Sequence, residues 1–280
     1  MNYSITQKIL QKFEIWLKED ERENGTIQKY LRDIKRFADW MRTKRWTREN
    51  ILTWKNILLK KKYSPVTVNS MIAAVNKFFS FLGCPQFRMK YLRVQRRLFQ
   101  KRDRQLTKEE YFQLVSTARL LKKERLALLM ESICSTGIRV SEVKFLTVEA
   151  AQEGRTEISL KAKIRTILLP EKLCRKLLKY AKKQKITSGE IFLTESGKSI
   201  SRRQIWTEMK ALCHHAKIAP SKVFPHNLRH LFARTFYHSC HDIIKLADIL
   251  GHSSIETTRI YLVSTCEAHM KAMESLRLTS

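Results

Sequence analysis

Apolar residues recur every three or four positions through four segments of the first 82 residues, the spacing that lines one face of a helix. Ile9, Leu10, Phe13, Trp16 and Leu17 mark the first, which runs to an expected break at Asn24-Gly25. Thr26 reads as the N-cap of a second, with Ile27, Tyr30, Leu31, Ile34, Phe37, Ala38 and Met41 on one face, and Thr47 precedes a third carrying Ile51, Trp54 and Leu58. Ser64-Pro65 opens a fourth, with Val68, Met71, Ile72, Val75, Phe78 and Phe79 inward and Gly83 as its stop. The aromatic side chains fall on faces that must be buried, so they read as core rather than as base-stacking platforms.

From Thr107 the pattern starts again with a capping box, Thr107-x-x-Glu110, ahead of Tyr111, Leu114 and Val115, then a helix through Leu126, Leu128, Leu129 and Ile133 that Gly137 ends. Residues 156–169 hold two β-rich stretches around a basic turn and predict a hairpin or a three-stranded sheet. Pro170 stops that strand. Helices return at about 171–183 and 201–216, separated by a strand-like IFLT at 191–194, and 225–275 is again mostly helical.

Composition sharpens this picture. Of the 280 residues, 43% are hydrophobic and 29% charged, enough for a buried core, and no run approaches the roughly 18 apolar residues of a membrane span. The first residues lead into Lys12, Glu14, Lys18 and Glu19 instead of an apolar leader, and the six cysteines contain no Cys-x-x-Cys. The expectation is a cytoplasmic protein with reduced thiols, no metal and no cofactor. The formal net charge is +29, divided as +11 over residues 1–90 and +18 over 91–280. Charge of that size asks for a polyanion, with nucleic acid ahead of an anionic membrane or a merely solvated surface. Between Arg88 and Arg104 eight basic residues face one acid, Asp103; the run reads either as a solvated linker or as chain that follows a DNA backbone.

Four segments carry candidate chemistry: STGIRVSEV (135–143), KAKIR (161–165), PHNLRHLFA (225–233) and LGHSSIETTRIY (250–261). His226 and Arg229, three apart at a helix start, share a face near the positive end of the helix dipole, which suits a phosphate. Singly, each residue has an ordinary reading: Arg139 as the ion-pair partner of Glu142, His226 or His252 as a satisfied core histidine, Tyr261 as core.

Together and in order, Thr-Gly-x-Arg-x-Ser-Glu, a hairpin lysine, His-x-x-Arg-His, Leu-Gly-His and a tyrosine nine residues on resemble the tyrosine recombinase, or phage integrase, family in its two-domain, Xer-like form. The resemblance implies a mainly α fold with a small β-sheet: a four-helix, SAM-like core-binding domain over 1–87, a basic linker over 88–104 and an α+β catalytic domain over 105–280. It implies Arg139 and Arg229 as the pair that grips a scissile phosphate, where guanidinium forks meet the non-bridging oxygens bidentately. Tyr261 would be the nucleophile, His226 the general acid/base, and His252 a phosphate ligand that supports the tyrosine. Lys163, with Lys161 as its competitor in the same turn, would protonate the leaving 5′-oxygen, and Glu142 would orient. The implied function is site-specific recombination of double-stranded DNA through a 3′-phosphotyrosyl intermediate, in integration or excision of a mobile element or in Xer-type dimer resolution. The implied assembly is a homotetramer on two DNA sites, joined by tails at 262–280. A type IB topoisomerase, disfavoured by the Leu-Gly-His to Tyr spacing, and a DNA-binding protein with a dead site are the alternatives.

Overall fold

The computed structural model describes residues 5–93, 104–160, 163–252, 254–261 and 274–275, without the side chains of 159, 160, 163 and 164. The chain divides into two compact units, Met1–Arg96 and Arg97–Ser280. Among the described residues no helix is long and apolar enough to cross a membrane.

The first unit is built from α1 (Gln7–Glu19), α2 (Asn24–Met41), α3 (Arg48–Lys60) and α4 (Pro65–Phe81). Thr6, Thr47 and Ser64 each accept a hydrogen bond from a backbone N–H three residues on, closing an otherwise unpaired helix start, and Pro65 occupies the first turn of α4 where no N–H is needed. The core is aromatic: Phe13, Phe37, Phe78 and Phe79 are fully buried, and Phe37 meets Trp54 and Phe79 edge-on at ring centroids of 5.1 and 5.7 Å.

The expected Asn24-Gly25 break lies elsewhere. The Arg22 N–H bonds back to the Leu17 carbonyl at 2.9 Å with Glu21 in the left-handed region at φ 51°, so α1 ends there. Asn24 and Gly25 then open α2, whose N-cap is Glu23 and not Thr26. A glycine is tolerated in a first turn because the N–H groups there lack intrahelical partners in any case.

Residues 89–92, at the head of the basic run, are packed on the first unit. Asn76 and Asn69 on α4 each exchange two hydrogen bonds with the backbone, at Met89 and at Leu92, all between 2.7 and 2.9 Å, and Met89 is buried. Residues 94–103 of that run lie outside the described residues.

The second unit comprises α5 (Lys108–Leu120), α6 (Glu124–Thr136), a 3-10 stretch at Val140–Phe145, α7 (Val148–Glu153), strands β1 (Arg155–Leu160) and β2 (Lys163–Leu168), α8 (Glu171–Lys183), α9 (Arg202–His215), α10 (Pro225–Cys240), α11 (Ile243–Leu250) and α12 (Ile255–Arg259). The capping box forms as expected: Thr107 accepts from the Glu110 N–H and Glu110 from that of Thr107. Among the described residues the sheet has two strands, paired antiparallel from Arg155 with Leu168 to Leu160 with Lys163. Ile158 and Ile167 turn inward while Leu168 stands out, as a half-buried hairpin requires.

IFLT is not a strand. Ile191 and Phe192 are fully buried, the Ile191 N–H bonds to the Leu146 carbonyl at 3.1 Å, and Leu193 makes only an isolated bridge to Ser199 across the turn at Gly197. Its β-rich composition reports a buried plug in the core, not a ladder.

Candidate active site

Three chain corners converge on one place. The first follows α6, which Gly137 ends in the left-handed region at φ 65°. Two residues on, Arg139 caps the 3-10 stretch that starts at Val140. Its backbone N–H and its Nη1 both donate to the Glu142 carboxylate, each at 2.8 Å, and its Nη2 reaches the Gly251 carbonyl at 3.2 Å. Glu142 is 4% exposed while the Arg139 side chain is 40% exposed, so the carboxylate anchors an arginine whose other edge faces solvent.

The second corner is the start of α10. Pro225 fills the first turn, and Arg229, 1% exposed, is the largest fully buried side chain of the described residues. A lone guanidinium at that depth is costly unless its N–H groups are engaged. Nη1 donates to the Gly137 carbonyl, Nη2 to the Leu250 carbonyl at 2.7 Å and to His252 Nε2 at 2.9 Å, and Nε points to the Tyr261 hydroxyl at 3.4 Å. Arg229 therefore ties together the ends of α6 and α11 and the tyrosine.

The third corner joins α11 to α12. Asp242 caps α11 by accepting from two backbone N–H groups, and Gly251, at φ 61°, turns the chain so that His252 faces inward. Because arginine offers only donors, Nε2 of His252 is the acceptor towards Arg229, and Nδ1 carries the proton it donates to Thr258 Oγ1 at 2.8 Å. Thr258 is fully buried and fixes that ring. Tyr261, 5% exposed, packs with Ala233, Leu246 and Leu250, lies nearly parallel to the His252 ring at 5.6 Å and meets the His230 ring at 4.4 Å. His226 completes the ring cluster, 4.5 Å from His230 and 5.9 Å from Tyr261.

Burial, followed by the neighbouring guanidiniums, keeps this cluster from taking up protons. His252 falls to about 4, from desolvation first and then from Arg229, Arg139 and Arg165. His230 falls to about 3, from desolvation and then from His226 and nearby arginines, and His226 is lowered for the same two kinds of reason. The unfolded chain thus binds protons that the folded chain refuses. Stability is full above the ordinary histidine value near 6.5 and is lost progressively as pH falls from there towards about 4 and 3, with a slope of up to about 1.4 kcal/mol per pH unit for each group. A falling midpoint of thermal unfolding between pH 7 and pH 5 is expected, shallower in His230→Gln; equal slopes in the two proteins would contradict the assignment of the loss to His230.

Of the residues singled out in the sequence, Arg139, His226, Arg229, His252 and Tyr261 come together here, with Glu142 beneath Arg139. Lys163 is the first residue of β2, paired in register with Leu160; nothing places its side chain, and Lys161 lies outside the described residues. Three participants escaped the sequence reading: Arg165, Thr258 and, as more than a letter of its box, His230. Arg165 left a signal. Two residues before Ile167 on a strand with Leu168 outward, it falls on the inward face, where a charge must find a partner. Thr258 left none, since a threonine in a helix is ordinary.

Residues 104–267 match the family model described as "Phage integrase family". The chain belongs to that family. Residues 10–83 match a second model, "Phage integrase, N-terminal SAM-like domain". This integrase-family chain is 28% identical to the tyrosine recombinase XerA of Thermococcus kodakarensis over 98% of its own length and 97% of the relative's. Among solved structures it resembles the Tn1549 transposon integrase in complex with transposon right end DNA, at 14% identity and a TM-score of 0.70, covering 97% of this chain and 99% of that one. It also resembles a lambda integrase tetramer bound to a Holliday junction, at 16% identity and a TM-score of 0.71, covering 91% and 76%. The protein is a tyrosine-type site-specific recombinase. The mainly helical fold with a small sheet, expected from the ordered boxes, holds.

Proposed function

We propose that this recombinase cuts and rejoins double-stranded DNA through Tyr261. The phenolic oxygen attacks phosphorus in line, the bond to the 5′-oxygen breaks, and a 3′-phosphotyrosyl bond forms; the freed 5′-hydroxyl of a partner strand then reverses the step. Arg139 and Arg229 neutralise the charge that grows on the non-bridging oxygens. His226 moves the proton of the phenol, and His252 serves as a phosphate donor in its Nε2–H tautomer, with Thr258 Oγ1 then donating to Nδ1 and Arg229 Nη2 turned towards the phosphate. Lys163 or Lys161, from the hairpin turn, protonates the departing oxygen. One ester replaces another of similar energy, so the scheme needs side chains alone and no ATP or other cofactor.

The observation that carries this reading is the Tyr261 hydroxyl at 3.4 Å from Arg229 Nε with the ring stacked on His252, a phenol held against the groups that would bind its target phosphate. The test is incubation of wild type and Tyr261→Phe with labelled DNA from the flanks of the protein's own gene. An SDS-resistant, 3′-linked adduct is expected with wild type only. An adduct that survives Tyr261→Phe would remove Tyr261 from this role, and salt-sensitive binding without any adduct would favour an inactive DNA-binding protein.

Residues 1–87 serve in this scheme as the core-binding domain, 88–104 as the linker and 105–280 as the catalytic domain, acting in the cytoplasm. Four copies on two DNA sites, exchanging tails from 262–280, would bring two partner strands together; the tetrameric lambda integrase neighbour supports such an assembly. The boxes fit two biological roles alike, and the first is integration or excision of a mobile element. The full-length similarity to XerA favours a second, Xer-type resolution of chromosome or plasmid dimers. Adduct formation on DNA from the replication terminus, and not on the gene's own flanks, would select the second.

A further inference from the structure

Arg165 on β2 takes no part in the chemistry proposed so far, yet it is one of the most deeply held charges of the site. Its side chain is 9% exposed. Nη1 donates to both oxygens of Glu142, at 3.3 and 3.0 Å, and Nη2 to the Ile249 carbonyl at 2.8 Å. Its Nε is buried and has no hydrogen-bond partner. The fit against the α11–α12 corner is close enough that a Cβ on Gly251 would stand 2.2 Å from Arg165 Cδ. Burial pulls its guanidinium down to about 10, against the opposing pull of Glu142.

Two guanidiniums, those of Arg139 and Arg165, thus share one buried carboxylate. A buried carboxylate with a single cationic partner would bind that partner tightly, because in a region of low dielectric the ion pair has no competitor for either charge. If Glu142 had only Arg139, the pair would be neutral and Arg139 would have to abandon it to meet a phosphate. With Arg165 also on Glu142, the cluster keeps a net positive charge, and Arg139 needs to give up only one of several bonds.

The geometry points to Arg165 as a positioning residue that satisfies Glu142 so that Arg139 stays available to the scissile phosphate. The same side chain, through the Ile249 carbonyl and its stem against Gly251, fixes the corner that presents His252. It also ties the strand that begins at Lys163 to the arginine pair. This rests on Arg139 gripping the phosphate as proposed above.

The test compares wild type, Arg165→Met, Arg165→Lys and the double variant Arg165→Met/Glu142→Gln. The first-order rate of adduct formation is read at saturating DNA, together with DNA affinity and the unfolding midpoint, at a temperature well below every midpoint. Arg165→Met is expected to slow the adduct step about tenfold or more, the scale of one lost charge-assisted contact, with DNA affinity within about twofold because that affinity is spread over many phosphate contacts. Arg165→Lys recovers part of the rate. Glu142→Gln added to Arg165→Met recovers more, since it removes the anion that holds Arg139 back. A merely structural Arg165 would lower the midpoint without a rate effect that Glu142→Gln relieves. A rate in Arg165→Met equal to wild type, or a double variant as slow as Arg165→Met, overturns the proposal.

If wild type forms no adduct, the proposed chemistry has failed separately, and an NMR titration with inorganic phosphate, following the Arg139 guanidinium, decides. Binding weakened about tenfold in Arg165→Met and restored in the double variant supports the role; unchanged binding in Arg165→Met overturns it.

Discussion

Arg229→Lys is expected to slow adduct formation at saturating DNA by about 10²- to 10³-fold, the range seen when a donor aimed at developing transition-state charge is removed. Lysine keeps the charge and loses the fork. Arg229 spans the Gly137 and Leu250 carbonyls, His252 and the Tyr261 hydroxyl from one planar group, and an ammonium at the end of a flexible stem cannot reach all four. The carbonyls left over are buried, so stability falls as well, by about 1–3 kcal/mol for each one unpaired. Chemical quench of the adduct step and thermal unfolding, measured on the same preparation, separate the two effects. A rate within a few-fold of wild type would show that charge at this position suffices and that the bidentate geometry argued for Arg229 is not needed.

Gly137→Ala should destabilise the second unit by about 3 kcal/mol, from left-handed backbone strain and overpacking together. At φ 65° an added Cβ would stand 2.4 and 2.6 Å from two carbons of the Phe232 ring and 2.9 Å from Leu250. Phe232 belongs to α10 and packs against the cluster around Tyr261, so it has little freedom to withdraw. The Gly137 carbonyl is also an acceptor for Arg229, so any backbone shift that relieves the clash moves that anchor. Gly83→Ala is the control: its φ is 67°, but nothing lies within 4 Å of the added carbon, so only the strain remains. Calorimetric unfolding of the two variants is the measurement. Equal losses would mean that Phe232 yields and that the close approach of α6 to α10 does not constrain the site.

What could be read from the sequence was whatever local chemistry decides. Ser64-Pro65, the Thr107–Glu110 box and Gly137 each settle a helix end within a few residues, and each forms as expected. Asn24-Gly25 misled because the same two residues can end a helix or begin one, and the choice fell to a backbone bond from Arg22 to Leu17 that leaves no mark on residue type. IFLT misled because isoleucine and phenylalanine report burial as readily as strand pairing. In the site, the ordered boxes named five side chains that converge, since their chemistry is distinctive. Thr258 holds His252 from 6 residues away, and Arg165 acts through Glu142 and the Ile249 carbonyl, 23 and 84 residues away; such contacts are set by the fold and not by residue type.

One consequence of the shared carboxylate concerns how such a sequence can change over time. Glu142, Arg139 and Arg165 form a balance of one negative and two positive charges in which no member is replaceable alone: losing Glu142 leaves two neighbouring guanidiniums without their shared anion, and losing Arg165 commits Arg139 to its anchor. Neutral drift at these positions must therefore proceed by paired substitutions at 142 and 165, while Gly251 stays glycine, because its φ of 61° strains any Cβ even where a smaller side chain at 165 makes room for one. In a mutational library selected for activity, 142 and 165 should move as a linked pair while Arg139 and Gly251 stay fixed.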